Sequence, residues 1–359
     1  MFRRFNYLKG ERMKDQIFSI VKKSISVAVC LLLFASDSLH SQEAQDSDAR
    51  FVVRLRVPYC TVMANGKERT TTLRSTERPP RGVVKTKGKE HQQQLLFDFY
   101  EREDTVSMPR PLVITLFGGG FVLGSRVHED VRAWCNRFAE EGYLAAAIDY
   151  RVMPPGKFSS KNLIRTGFMA AQDVSAAVRY FKANADKYHI DTNRIFLLGQ
   201  SAGAVAIIHA LYMDENQRPE ATFAAPELSP LHSTGTDSAM TRSFSVAGAV
   251  LLWGAIFNPD MIDEDETTPI CMIHGTHDRI LPIEEGHAFS MPHLPYVYGS
   301  QRMAERLQSL GIHSYELHVF DKKPHAFYFR DLYMYHLKQK EFDECFQIVL
   351  DFIQKNSKN

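Results

Sequence analysis

The 359-residue chain is 44% hydrophobic and 24% charged, with a formal net charge of +1 at pH 7. Such a length holds one large α/β domain or two small ones, and the balance is that of a globular protein. A near-neutral charge excludes capture by nucleic acid or an anionic membrane through a field of one sign; there is no internal repeat and no zinc-type Cys/His spacing.

The first 41 residues differ from the rest. Arg3, Arg4, Lys9, Arg12, Lys14, Lys22 and Lys23 precede an apolar run over 25–35, and Ser36, Ser38 and Ser41 follow it. The run is shorter than the ~20 residues of a spanning helix. A basic flank, a short apolar core and small polar residues form the pattern of a secretory signal peptide. The expectation is a signal peptide over 1–41 and a single domain over 42–359, secreted or periplasmic, with no stable membrane insertion after cleavage. Met13 is an alternative start, Ala35 an alternative to Ser41 as the cleavage point, and a retained N-terminal anchor the competing reading. Cys30 follows Val29 and precedes further apolar residues, which argues against lipidation. An oxidising compartment permits disulfides. Cys60, Cys135, Cys271 and Cys345 are nevertheless far apart, and Cys271 lies in an apolar run, so buried free thiols are expected.

Residues 42–50 are polar, 51–59 alternate as an edge strand, and 70–91 are charged and Pro-punctuated, which predicts turns. Strands are predicted over 94–100 and 111–117, a helix over 130–141, a strand over 143–149, a helix over 163–184 and a strand over 194–198. A helix over 202–212, strands over 246–253 and 269–274, a helix over 298–310, a strand over 314–320 and a helix over 342–354 complete the series. Short apolar strands alternating with helices predict an α/β fold: a mostly parallel sheet with helices on both faces, opened by two antiparallel strands.

Gly199-Gln200-Ser201-Ala202-Gly203 is a G-x-S-x-G sequence entered by a strand and left by a helix. In that context the serine sits on a strained turn that lifts Oγ above the strand end, the glycines avoid clashes, and the helix N-terminus faces a developing oxyanion. Gly118-Gly119-Gly120 follows the 111–117 strand. Its bare backbone offers N–H donors, and Gly119, Gly120 and Ala202 are the expected oxyanion hole. The G-x-G-x-x-G dinucleotide pattern is not met. Asp278 follows the 269–274 strand, whereas Asp263, Asp265, Glu284 and Glu285 lie further from a clear strand end. Among 14 histidines, His325 is placed in the loop after the last strand. Ser201, Asp278 and His325 are therefore the expected nucleophile, acid and base.

These residues resemble the esterase/lipase group of α/β-hydrolases, similar to its hormone-sensitive-lipase-like and feruloyl or acetyl-xylan esterase branches. The likeness rests on Gly118-Gly119-Gly120-Phe121, Asp149-Tyr150-Arg151, Gly199 to Gly203, His274-Gly275-Thr276-His277-Asp278 and His325-Ala326-Phe327, and runs from about Gln94 to the C-terminus. It departs at Phe117, where many relatives carry a loop-bracing histidine. The resemblance implies hydrolysis of a small-molecule or carbohydrate-linked carboxylic ester through an acyl-enzyme, with no metal or organic cofactor, and structural roles for Asp149, Tyr150, Arg151 and Asp173. Phe121, Tyr296 and Phe327 are expected to border the substrate, an aromatic rim suited to an aryl group or a sugar ring. Two other functions compete: a serine exopeptidase of the prolyl-oligopeptidase kind, whose usual propeller has no room here, and an inactive hydrolase-like binding module. Oligomeric state is left open by the sequence.

Overall fold

A computed structural model describes residues 51–64, 91–102, 108–153, 158–234, 242–330 and 336–357. The expected signal peptide, the polar 42–50 stretch and all but the last residue of the 70–91 turns lie outside them.

The strands are β1 (Phe51–Ala64), β2 (His91–Arg102), β3 (Arg110–Leu116), β4 (Leu144–Ile148), β5 (Ile190–Gln200), β6 (Gly248–Leu252), β7 (Ala255–Ile256), β8 (Ile270–Gly275), β9 (Glu285–His287), β10 (Tyr296–Gly299) and β11 (Tyr315–Phe320). The helices are α1 (Glu129–Glu140), α2 (Ser160–Ala183), the single turn α3 (Ala185–Tyr188), α4 (Ala202–Tyr212), α5 (Ser300–Ser309) and α6 (Gln339–Asn356). The main sheet has eight strands in the order β1-β2-β4-β3-β5-β6-β8-β11. From β4 to β11 all neighbours pair in parallel, whereas β1–β2 and β2–β4 are antiparallel. The antiparallel start therefore agrees with the sequence pattern.

The strand order positions the site. From β3 the chain crosses to β4 on one side, then returns through α2 to β5 on the other. The loops leaving β3 and β5 therefore splay apart, and a crevice opens above their carboxyl ends, where open parallel sheets hold ligands. Burial explains why the strands read as unbroken apolar runs: every residue of β4, β6 and β8 is buried. The helix α4 is apolar almost all round because it lies inside, with all but one of its residues buried.

The predicted 298–310 helix is split. Tyr296–Gly299 forms β10, which pairs with β7 and β9 in a second, three-stranded sheet, and α5 begins at Ser300. The aromatic and β-branched side chains of Tyr296-Val297-Tyr298 suit a strand once partners exist, and the pairing is non-local. The four thiols Cys60, Cys135, Cys271 and Cys345 are free and buried.

Two buried ion pairs fix the layers next to the crevice. Arg126 reaches Asp149 at 2.9 Å and Asp98 at 3.0 Å, all three being 1% exposed, and Arg151 meets Asp173 of α2 at 2.7 Å. Removing one member of such a set strands a charge in a dry interior.

Candidate active site

Ser201 sits between β5 and α4 with φ 50° and ψ −115°, a conformation that an L-residue holds only when its surroundings enforce it. A methyl group on Gly199 would lie 2.5 Å from the Gly203 carbonyl carbon, and one on Gly203 would lie 2.7 Å from the Phe117 oxygen. The turn is thus closed to any larger residue at both glycines. Ser201 donates its N–H to the Leu252 carbonyl at 2.9 Å, which pins the bend to β6. Gln200 points inward and accepts from the Tyr328 hydroxyl at 2.5 Å, which in turn accepts from Trp134 Nε1 at 3.1 Å. This chain ties the elbow to the segment that carries His325.

The fold brings the three predicted groups together. His325 Nε2 lies 2.9 Å from Ser201 Oγ, and its Nδ1 lies 2.6 Å from Asp278 Oδ2. A carboxylate only accepts, so Nδ1 carries the proton and Nε2 presents a lone pair to the serine hydroxyl. Burial alone would raise the Asp278 carboxyl pKa, but the charge of His325 and hydrogen bonds from His274 and His325 hold it well below the usual carboxylate range. Three of the rival acids face other groups. Glu285 pairs with Arg302, and Asp263 and Asp265 crowd Glu266, whose carboxyl is pushed up to about 7, first by burial and then by their charges.

The glycine loop abuts the elbow: a methyl on Gly118 would lie 3.3 Å from Ser201 Cβ. Gly119 and Gly120 have φ of 126° and 61°, and Phe121 has 60°. The Gly119 carbonyl accepts from Val122 and Leu123 at 3.1 and 3.0 Å, making a tight turn. Among the described residues, no protein acceptor takes the N–H groups of Gly119, Gly120 or Ala202. Phe117 stacks on Tyr150 with ring centroids 4.1 Å apart, and the Tyr150 hydroxyl donates to the Phe117 carbonyl at 2.6 Å. The pair braces the loop from below, the task assigned to histidine in the relatives.

The three aromatic residues expected at the substrate take different places. Phe121 is buried, with its ring edge-on to Tyr150. Tyr296 is exposed on β10 beside His287. Phe327 is 1% exposed and packs on Trp253 and Phe320, so it supports the His325 loop from inside instead of forming an open rim. Phe289 instead reaches the glycine loop: its ring would meet a Gly120 methyl at 3.0 Å, and Phe158 lies edge-on to it at 5.3 Å. The sequence carries no signal for this approach, because it depends on how the loop after β8 folds over the loop after β3. Nor does it signal a cluster away from the site, where Cys271, Glu316 and His318 bring donor atoms within 4.8 Å of one another. Parallel pairing of β8 with β11 assembles that cluster, and Lys355 already neutralises Glu316 at 2.7 Å.

Among solved structures, a thermophilic esterase from the Planctomycetes species Thermogutta terrifontis with butyrate bound superposes with a TM-score of 0.51. The match covers 73% of this chain and 90% of that one at 18% identity, which establishes a common fold. The chain has the α/β-hydrolase fold. The BD-FAE family model matches residues 97–252 of this chain, from β2 to the end of β6, a span that includes the glycine loop and the elbow. Its sequence is also similar to Esterase LipC of Mycobacterium tuberculosis, 25% identical over 54% of this chain and 51% of the relative. The isoprenylcysteine alpha-carbonyl methylesterase ICME of Arabidopsis thaliana is 23% identical over 68% of this chain and 56% of that protein. The chain thus matches about half the length of each of these relatives.

Proposed function

We propose that this α/β-hydrolase is a serine carboxylesterase that works through an acyl-enzyme. The observation that carries the reading is the hydrogen-bonded line from Ser201 Oγ through His325 to Asp278, at 2.9 and 2.6 Å. His325 Nε2 takes the Ser201 proton as Oγ attacks the ester carbonyl carbon. The negative charge that forms on the carbonyl oxygen is received by the N–H groups of Gly119, Gly120 and Ala202, donors of a kind worth roughly 3–4 kcal/mol each in acyl transfer. The His325 imidazolium then protonates the departing alkoxide, and a water molecule, deprotonated by the same nitrogen, releases the acid and restores Ser201. Asp278 holds the required tautomer throughout.

The substrate class we assign is a short-chain or a carbohydrate- or aryl-linked ester. The aromatic side chains of Phe289 and Phe158 beside the glycine loop support it, as does the signal-like start that would send the protein to the periplasm or the exterior. Turnover of p-nitrophenyl acetate, lost in Ser201→Ala, tests the reaction. A phosphonate ester that leaves its mass on the Ser201 peptide tests the nucleophile. Full turnover by Ser201→Ala would overturn the assignment. A panel of acetyl, butyryl, longer acyl and feruloyl esters then ranks the acyl group.

A further inference from the structure

Asp278 accepts from four donors, and only one belongs to the triad. Oδ1 takes the backbone N–H groups of Ile280 at 2.8 Å and Leu281 at 2.9 Å, and Oδ2 takes His325 Nδ1 at 2.6 Å and His274 Nε2 at 3.2 Å. His274 is the next-to-last residue of β8 and is wholly buried. Its Nε2 faces two acceptors, Asp278 Oδ2 and the Leu281 carbonyl at 2.9 Å, so that nitrogen carries the proton. Its Nδ1 lies 2.8 Å from the hydroxyl of Ser300, the first residue of α5, which donates to it. A polar ring is retained in a dry interior only when every polar atom is matched, and here each is.

We propose, resting on the reading of Ser201, His325 and Asp278 as the reacting groups, that His274 is a positioning residue that sets the basicity of His325. Two imidazoles share one carboxylate oxygen. The His274 N–H draws negative charge from Oδ2, so Asp278 stabilises the His325 imidazolium less than a carboxylate bonded to His325 alone would. His325 is therefore held by a weaker partner when it takes the serine proton. The Ser300 hydroxyl strengthens the effect by withdrawing electron density at Nδ1. Among the described residues, the groups facing this line are Ser201 from the head of α4, Ser300 from α5, and the apolar ring of Trp253, 6.2 Å from His325. His277 and Arg279, which flank Asp278 along the chain, are exposed.

The test is the pH dependence of kcat/KM for p-nitrophenyl acetate in the full chain, whose acid limb reports protonation of the free-enzyme base. His274→Phe puts an aromatic ring in the same place without either nitrogen. The expected result is an acid limb moved upward by about half a pH unit or more, with a plateau roughly tenfold lower. His274→Gln, whose amide N–H reaches towards Oδ2, is expected to return the limb towards its original position. If melting curves show His274→Phe unfolded, Ser300→Ala decides, with a smaller shift in the same direction. An unmoved acid limb in the folded His274→Phe protein, or in Ser300→Ala where that variant decides, overturns the proposal, as does an equal shift in His274→Gln. Ser201→Ala, assayed alongside, separates the two possible failures. Activity in that variant defeats the nucleophile assignment, whereas its loss together with an unmoved limb defeats only the role of His274.

Discussion

Replacing Asp278 by Asn changes one atom and tests the geometry of the whole site. Both carboxylate oxygens face donors only: two backbone N–H groups at Oδ1 and two imidazoles at Oδ2. An amide must turn its NH2 towards one pair. Facing Ile280 and Leu281, it would leave two buried donors unmatched, at about 1–3 kcal/mol each. Facing Oδ2's partners is less costly, because His325 can answer by moving its proton to Nε2. That tautomer donates to Ser201 Oγ, 2.9 Å away, and cannot accept its proton. The stability cost is then about 1–3 kcal/mol, whereas the rate should fall by about 10³–10⁴, equivalent to roughly 4–5.5 kcal/mol of transition-state stabilisation. The assay is kcat/KM on p-nitrophenyl acetate alongside a melting curve. An Asp278→Asn protein that keeps a tenth or more of the original kcat/KM would refute the argument, because it would mean that the His325 tautomer is not set by this carboxylate.

Three further outcomes follow from particular contacts. Gly199→Ala places a methyl 2.5 Å from the Gly203 backbone and should destabilise the protein by about 3 kcal/mol, so an unchanged melting point would contradict the packing of the elbow. His209 of α4 is held down to about 4 by burial, partly offset by its bond to the Val205 carbonyl, while the unfolded chain binds a proton near ~6.5. The unfolded state therefore takes up protons first as pH falls: the stability is fully present above about pH 6.5 and roughly 3 kcal/mol is lost towards pH 4. Chemical denaturation across that window should give a flatter profile in His209→Gln, and identical slopes would remove His209 as the cause. Burial pushes the thiols of Cys60 and Cys135 up to about 12, and those of Cys271 and Cys345 higher still. A disulfide thiol reagent at pH 8 should modify these four only after denaturant is added, and rapid reaction in the native protein would count against their burial.

The sequence by itself determined the alternation of strands and helices, the elbow around Ser201 and the glycine loop. Each of these answers a local steric demand that only certain residue types meet at fixed spacing. Gly199 and Gly203 stand where a methyl would strike backbone, and the 144–148 and 248–252 runs are apolar because both faces of their strands are covered. Asp278 and His325 were legible for a related reason, since each follows a strand that ends at the same rim of a parallel sheet. Tertiary structure alone decided the rest. The Gln200–Tyr328 bond joins residues 128 apart, and the Trp134–Tyr328 bond residues 194 apart. Strand order and register select such partners, and composition near either residue leaves no trace of them. Phe327 follows His325 by two residues and reads as a rim residue, yet it turns inward because Trp253 and Phe320 offer it a dry face. His274 reads only as the start of the motif that ends in Asp278 until the 278–281 turn brings Asp278 and the Leu281 carbonyl to its ring and α5 brings Ser300. A hydrogen bond requires atoms to meet within about 3 Å, and only the folded chain determines which atoms do so.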